Sequence, residues 1–250
     1  MMGRGDEVIM TSASNPEVMA ICYAQGWCAS ADKMTKTEAE QVTDIAQVFR
    51  ASGIVHFEEL QYFTNVTRLA GYAFLGCTAL VQIDVRNILD FGAQCFQNSL
   101  VETLVLNDNA VVRSYAFYSC ARLVSLLLPS SLTYINSHIC YSCQRLELST
   151  LPSGVTGIGA LAFERCFAIT NFTIPSGVTS IGSRAFRDTN NLSTLTCLAS
   201  TAPSIQADTF ANAGSSASNK VLYVPSGASG YDSGYWLDLQ TTNGFTLQYI

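Results

Sequence analysis

The densest group of reactive side chains in the sequence is His138-x-Cys140-x-x-Cys143. An imidazole and two thiolates could ligate zinc, and Cys-x-x-Cys is also the spacing of a redox dithiol. There is no second Cys-x-x-Cys. Cys143 also lies one residue from a slot that recurs as Cys77, Cys120 and Cys166. A cysteine in a repeated apolar slot acts as a small buried group with a weak donor, so packing is the preferred reading. Cys22 and Cys28 are either a disulfide, if the protein is exported, or two free thiols. Glu58 and Glu59 are adjacent on an expected strand, so they face opposite sides and cannot share a substrate. G-x-S-x-G, P-loop and H-E-x-x-H patterns are absent. The expectation is a chain that is not an enzyme, with no catalytic residue, metal or cofactor. Arg4-Gly5-Asp6 spells a tripeptide that some integrins bind, but it lies in an unanchored tail and is read as chance.

Composition narrows the partners. The 250 residues carry 19 acids and 13 bases, a net charge of -6, and only 13% are charged. An apolar share of 48% excludes a disordered chain, and no basic run points to nucleic acid. No apolar stretch is long enough for a transmembrane helix. The first residues lack the basic-then-apolar plan of a signal peptide.

The elements that must carry any site are set by a repeat. Ala73-Phe74, Cys95-Phe96, Ala116-Phe117, His138-Ile139, Ala162-Phe163, Ala185-Phe186 and Thr209-Phe210 recur every 21 to 24 residues. Upstream of these pairs runs L-x-x-L-x-L, as in Val101/Leu104/Leu106, Leu123/Leu126/Leu128 and Ile169/Phe172/Ile174. Phe57/Leu60/Tyr62 opens the series, and Leu146/Ser149/Leu151 is an imperfect copy with serine at a core position. Period and spacing together are a leucine-rich-repeat signature. The triplet becomes a parallel strand, Val-Thr-x-Ile-Gly returns along another side, and Ala-Phe-x-x-Cys turns the chain with its Phe in the core. The fold class is thus α/β but mostly β. It is a leucine-rich-repeat solenoid, a right-handed superhelix with a parallel concave sheet, about seven turns and a helical N-terminal cap.

Leu151-Pro-Ser-Gly-Val-Thr-Gly-Ile-Gly-Ala-Leu-Ala-Phe-Glu-Arg-Cys166 resembles the BspA-like leucine-rich-repeat proteins. The segments 36–43 and 57–64 resemble the opening of such proteins from gut Bacteroidetes. The resemblance implies a surface-exposed or secreted protein, in some members one that adheres to host proteins or other microbes. Relatives often carry a calcium-type loop before the second cap helix. Ala29-Ser-Ala-Asp-Lys33 has one carboxylate beside a lysine and does not fit that ion.

The expected organisation is a flexible tail (1–13), a helical N-terminal cap (14–53), repeats (54–212) and a C-terminal cap (213–250). Within the N-terminal cap, Ser14-Asn15-Pro16-Glu17 and the Thr35-x-x-Glu38 capping box each start a helix. The second helix is expected to continue through Val42, Ile45, Ala46 and Phe49. Lys220–Pro225 and Phe245–Ile250 read as strands, with Tyr231, Tyr235 and Trp236 covering the last turn. The candidate binding residues lie between the inward strand positions: Gln82, Asp84, Thr103, Val105, Ser125, Leu127, Leu148, Thr150, Asn171 and Thr173. Val105, Leu127 and Leu148 form the expected apolar patch, and such patches mark interaction sites. The expected role is a binding or adhesion module for a protein or glycan. The alternative is a spacer or display scaffold in a larger surface or phage-borne assembly.

Overall fold

The computed structural model describes residues 6–250. Arg4 and Gly5 of the Arg-Gly-Asp tripeptide lie outside the described residues.

A turn of some 23 residues cannot bury its own apolar side, so the turns stack on one another. Each passes through three stations. At the first, the L-x-x-L-x-L triplet forms strands. Thr103–Val105 pairs with Ser125–Leu127, and Asn171–Ile174, Thr194–Cys197, Val221–Val224 and Thr246–Tyr249 make a four-stranded sheet. At the second station, Arg68–Leu69, Asp90–Phe91 and Val111–Val112 form one ribbon. Tyr134–Ile135, Gly157–Ile158 and Ser180–Ile181 form another. All of these pairs are parallel and join equivalent residues of successive turns. Gly182 ends one such strand where two turns nearly touch. A Cβ there would lie 2.5 Å from the Ala160 nitrogen, so only glycine fits.

At the third station the anchor residue inserts into the core and its N–H donates to the next turn. Phe96 donates to Ala116 O (2.9 Å), Phe117 to Ile139 O (3.0 Å) and Cys140 to Ala162 O (2.9 Å). The anchor of the fifth full repeat is therefore Cys140, not Ile139. Ile139 fills the alanine slot and is buried there. Phe49 stacks on Phe74 (5.6 Å, 22°) and starts the column one turn earlier than the sequence repeat. The solenoid has about eight turns rather than seven, with anchors at 49, 74, 96, 117, 140, 163, 186 and 210. Cys140 splits the aromatic column in two. Phe49, Phe74, Phe96 and Phe117 stack on one side; Phe163, Phe186 and Phe210 stack on the other.

Around the six anchors from Phe74 to Phe186, the residues two before and two after take left-handed backbone, as at Tyr115 (φ 63) and Ser119 (φ 55). For side chains other than glycine this is strained. The strain is offset by hydrogen bonds between turns: Tyr115 N–H donates to Ser137 O (3.2 Å) and Ser119 N–H to Tyr141 O (2.7 Å).

The shifted anchor puts Cys143 in the thiol column. Each thiol there donates to the anchor carbonyl of the preceding turn: Cys77 to Phe49 O (2.9 Å), Cys120 to Phe96 O (3.1 Å), Cys143 to Phe117 O (3.0 Å) and Cys166 to Cys140 O (3.1 Å). A buried carbonyl without a donor is costly. Cysteine supplies that donor at little polar cost, which is the physical reason for its recurrence.

The ends differ from expectation. Val8–Thr11, expected as tail, is a strand antiparallel to Lys33–Thr35. Helix α1 (Pro16–Ala24) is where its N-cap placed it, and α2 (Lys36–Gln41) carries both hydrogen bonds of its capping box. But α2 stops at Gln41. Val42, Ile45 and Phe49 are buried in an irregular segment that leads into the first turn, not in a helix. After His56–Phe57, residues Glu58–Tyr62 form a 3₁₀ turn rather than a strand, so Glu58 and Glu59 are not on a pleat. The last turn is covered by an unexpected helix, α3 (Gly234–Thr241). Its Trp236 packs on Phe210 (5.5 Å) and donates to Pro203 O (2.8 Å). Tyr231 is buried with its hydroxyl on Ala199 O (2.8 Å), while Tyr235 remains exposed.

Candidate binding face

Alternation along a strand sends every second side chain to solvent. On Thr103–Val105 and Ser125–Leu127 it buries Leu104 and Leu126 and exposes the residues on either side. The register sets Thr103 against Ser125 and Val105 against Leu127. Val105 is 44% exposed and Leu127 is 58% exposed, so two aliphatic side chains lie side by side in water.

The strand ladder is interrupted at the next turn. Leu146 and Leu151 stay buried, but Ser149, at the expected core position, is exposed. A serine there has no apolar area to bury, and the backbone swings it outward. Residues 147–149 form no strand; pairing resumes with a single bridge, Thr150 to Thr173. The gap opens a notch of about 350 Å³ lined by Leu127, Leu128, Glu147, Leu148 and Pro152 among others. Leu148 is half-buried and packs on the core. Leu127 and Leu148 thus meet in one notch, with Val105 beside Leu127.

The other candidates sit at the flanks. Asn171 pairs with Thr194 and Thr173 with Thr196, giving a hydroxyl-rich strip. Gln82 pairs with His56 at the opposite end. Asp84 is held by Arg86, whose Nε donates at 3.0 Å and whose Nη2 also donates. Burial raises the Asp84 carboxyl, but the Arg86 hydrogen bonds and charge outweigh it and hold the group below its ordinary value. Asp84, Arg86 and Glu102 line a second hollow of about 380 Å³ that includes Gln82, Thr103 and Val105. The ten residues therefore form a strip, not one pocket.

Sequence spacing, parallel register and stacked anchors describe one repeat. That repeat matches the BspA type leucine rich repeat region in six copies, over residues 46–167 and 110–223. The chain belongs to the BspA-type leucine-rich-repeat family.

As a BspA-type protein it is similar in fold to a leucine-rich repeat protein from Bacteroides ovatus. The TM-score is 0.50 at 14% identity, over 64% of this chain and 53% of that one. It is also similar to a leucine rich cell surface protein from Faecalibacterium prausnitzii, with a TM-score of 0.47 at 22% identity, over 66% and 54%. The chain spans about half the length of these structures. No curated protein matches it.

Within the BspA-type frame, His138 and the two cysteines of its motif part company. Cys140 and Cys143 are buried in the core, and His138 lies half-buried on the outer side against Tyr115. Among the described residues no three His, Cys, Asp or Glu side chains are grouped to hold a metal ion. Nor is any helix long and apolar enough to cross a membrane. Sequence reasoning omitted Glu147, Leu128 and Pro152 from the face; the signal that finds them is Ser149, whose polarity marks where the strand breaks.

Proposed function

We propose that the protein is a non-catalytic binding module that acts at the cell surface or outside the cell. Its ligand is a protein or glycan engaged through the strand face at Val105, Leu127 and the Leu148 notch. The observation that carries this reading is the exposed Val105–Leu127 pair beside the open notch at Leu148. Apolar side chains held exposed on a rigid scaffold give a partner a desolvated contact without ordering cost. The repeats on either side supply hydroxyls and carboxamides for a polar rim. The surface location rests on the family resemblance.

The test is a screen against immobilised extracellular-matrix proteins and a glycan array, run with Leu127→Lys and the Leu127→Lys/Leu148→Lys double variant. A central contact is worth about 2 kcal/mol or more, so the double variant is expected to weaken a hit by roughly thirtyfold. Leu127→Lys alone replaces an exposed side chain, so its stability should stay within about 0.5 kcal/mol of the parent. Binding that survives both variants would remove this face from the proposal. A blank screen would favour the spacer reading.

A further inference from the structure

Every turn presents two side chains on the Ala-Phe side, one two residues before the anchor and one just after it. Over three turns these are Gln94 and Gln97, Tyr115 and Tyr118, then His138 and Tyr141. Tyr115 stacks on His138 (4.1 Å, 14°) and Tyr118 on Tyr141 (4.6 Å, 8°), so two aromatic ladders run along the solenoid axis. The ladders flank a groove of about 430 Å³ that ends at Leu161 and Arg184. Gln94 closes the other end by donating to Gln97 (2.6 Å).

Beneath the far end lies an ion pair. Glu164 is 1% exposed, and its Oε1 accepts from Arg184 Nη2 at 2.6 Å. Its Oε2 is buried without a partner. Arg184 Nε and His138 Nδ1 are also buried and unpartnered. Among the described residues only four buried side-chain atoms lack partners, and three belong to this cluster. Such atoms carry a desolvation cost that a native fold seldom leaves unmet. Burial also lowers the His138 imidazole, so it stays neutral to more acidic pH than an ordinary histidine.

We infer that this groove is a second ligand site and that it takes a neutral polyhydroxylated chain, a glycan. The charge of Arg184 is spent on Glu164, so the site has no net charge to attract an anion. The stacked ring faces cover one another, which leaves little open face for a cation. What the groove itself presents is a mixed set of the Arg184 guanidinium, the His138 imidazole, phenol hydroxyls and the Gln94 and Gln97 carboxamides, with Glu164 buried behind Arg184 and holding it in place. A sugar hydroxyl donates and accepts at once, so one ligand can meet both kinds of group. The tips repeat from turn to turn, so an extended chain along the axis finds the same partners again. This site does not depend on the strand-face reading.

The test is titration calorimetry with linear hexasaccharides of glucose, mannose and xylose, and with ribonuclease B as a mannosylated protein beside unglycosylated ribonuclease A. The variants are Glu164→Gln, Tyr141→Phe and the Leu127→Lys/Leu148→Lys double variant. Tyr141→Phe keeps the stack and removes one hydroxyl, so it remains informative if Glu164→Gln loses stability. The expected result is binding of at least one saccharide, weakened severalfold by Tyr141→Phe and severalfold by Glu164→Gln, which releases Arg184 at the end of the groove, and unchanged in the strand-face variant. Preference for ribonuclease B over the free chains would assign the site to glycoproteins; the reverse would assign it to polysaccharides. Absence of binding by all of the probes, or binding lost only in the strand-face variant, would overturn the inference.

Discussion

Replacing Phe186 with alanine is expected to cost about 3–5 kcal/mol and to split the unfolding of the solenoid into two steps. Phe186 is fully buried. It stacks on Phe163 (5.4 Å, 29°) and Phe210 (5.3 Å, 7°) and meets Phe172 edge-on (4.9 Å, 66°). Truncation removes all three contacts and leaves a cavity that the rigid backbone ladders on either side cannot close. A solenoid's stability is close to a sum over turns and the interfaces between them. Weakening one interface by that much should let residues C-terminal to it melt first. Phe186→Leu keeps most of the volume and should cost much less, about 1.5 kcal/mol or below. Urea unfolding followed by circular dichroism and by the fluorescence of Trp27 and Trp236, one near each end of the solenoid, checks this. Coincident single transitions in Phe186→Ala, with stability near the parent, would contradict it.

The protein is also expected to lose its fold steeply above pH 9. Cys22, Cys77, Cys95, Cys120, Cys140, Cys166 and Cys197 are all fully buried. Burial raises each of these thiols from the ordinary value of 9.0, Cys22 to about 12. Below pH 9 the thiol is neutral in both folded and unfolded chain, so its full contribution is present. As pH rises through 9 the unfolded chain loses protons that the fold keeps. Stability then falls by about 1.4 kcal/mol per pH unit for each such thiol, until the folded value is passed. Four or five acting together would exhaust a typical stability of about 5–15 kcal/mol within roughly two units. Buried Tyr231, raised first by burial and then by Cys197, adds in the same direction at higher pH. Urea midpoints should therefore drop sharply between neutral pH and about pH 11. At neutral pH Ellman's reagent should leave the native thiols unmodified. A flat stability profile, or rapid thiol reaction of the native protein, would contradict the buried column.

The repeat was legible because one shared core imposes the same apolar spacing on every turn. The fifth repeat concealed its register. Isoleucine stands in the alanine slot and cysteine in the phenylalanine slot, so His138-Ile139 imitates an anchor pair. Cys143 held the correction: placing it in the thiol column moves the anchor to Cys140. The second cap helix was over-extended because Val42, Ile45 and Phe49 have helical spacing, yet a solenoid turn can bury the same residues without a helix. Helix α3 was missed since its eight residues, Gly-Tyr-Trp-Leu-Asp-Leu-Gln-Thr, carry no side-chain cap and two aromatics of weak helix preference. The exposed strand residues followed from alternation alone. The notch did not, since it needs the backbone response to Ser149, which spacing does not encode.

The most direct test of the strand-face account is amide hydrogen exchange of the protein alone and saturated with a partner that the Leu127→Lys/Leu148→Lys variant fails to bind. The account predicts added protection at Thr103–Val105, Ser125–Leu127 and residues 147–151, with little change in the ribbons 90–91, 111–112 and 134–135. Protection confined to those ribbons or to the two ends of the solenoid, with the strand face unchanged, would contradict it.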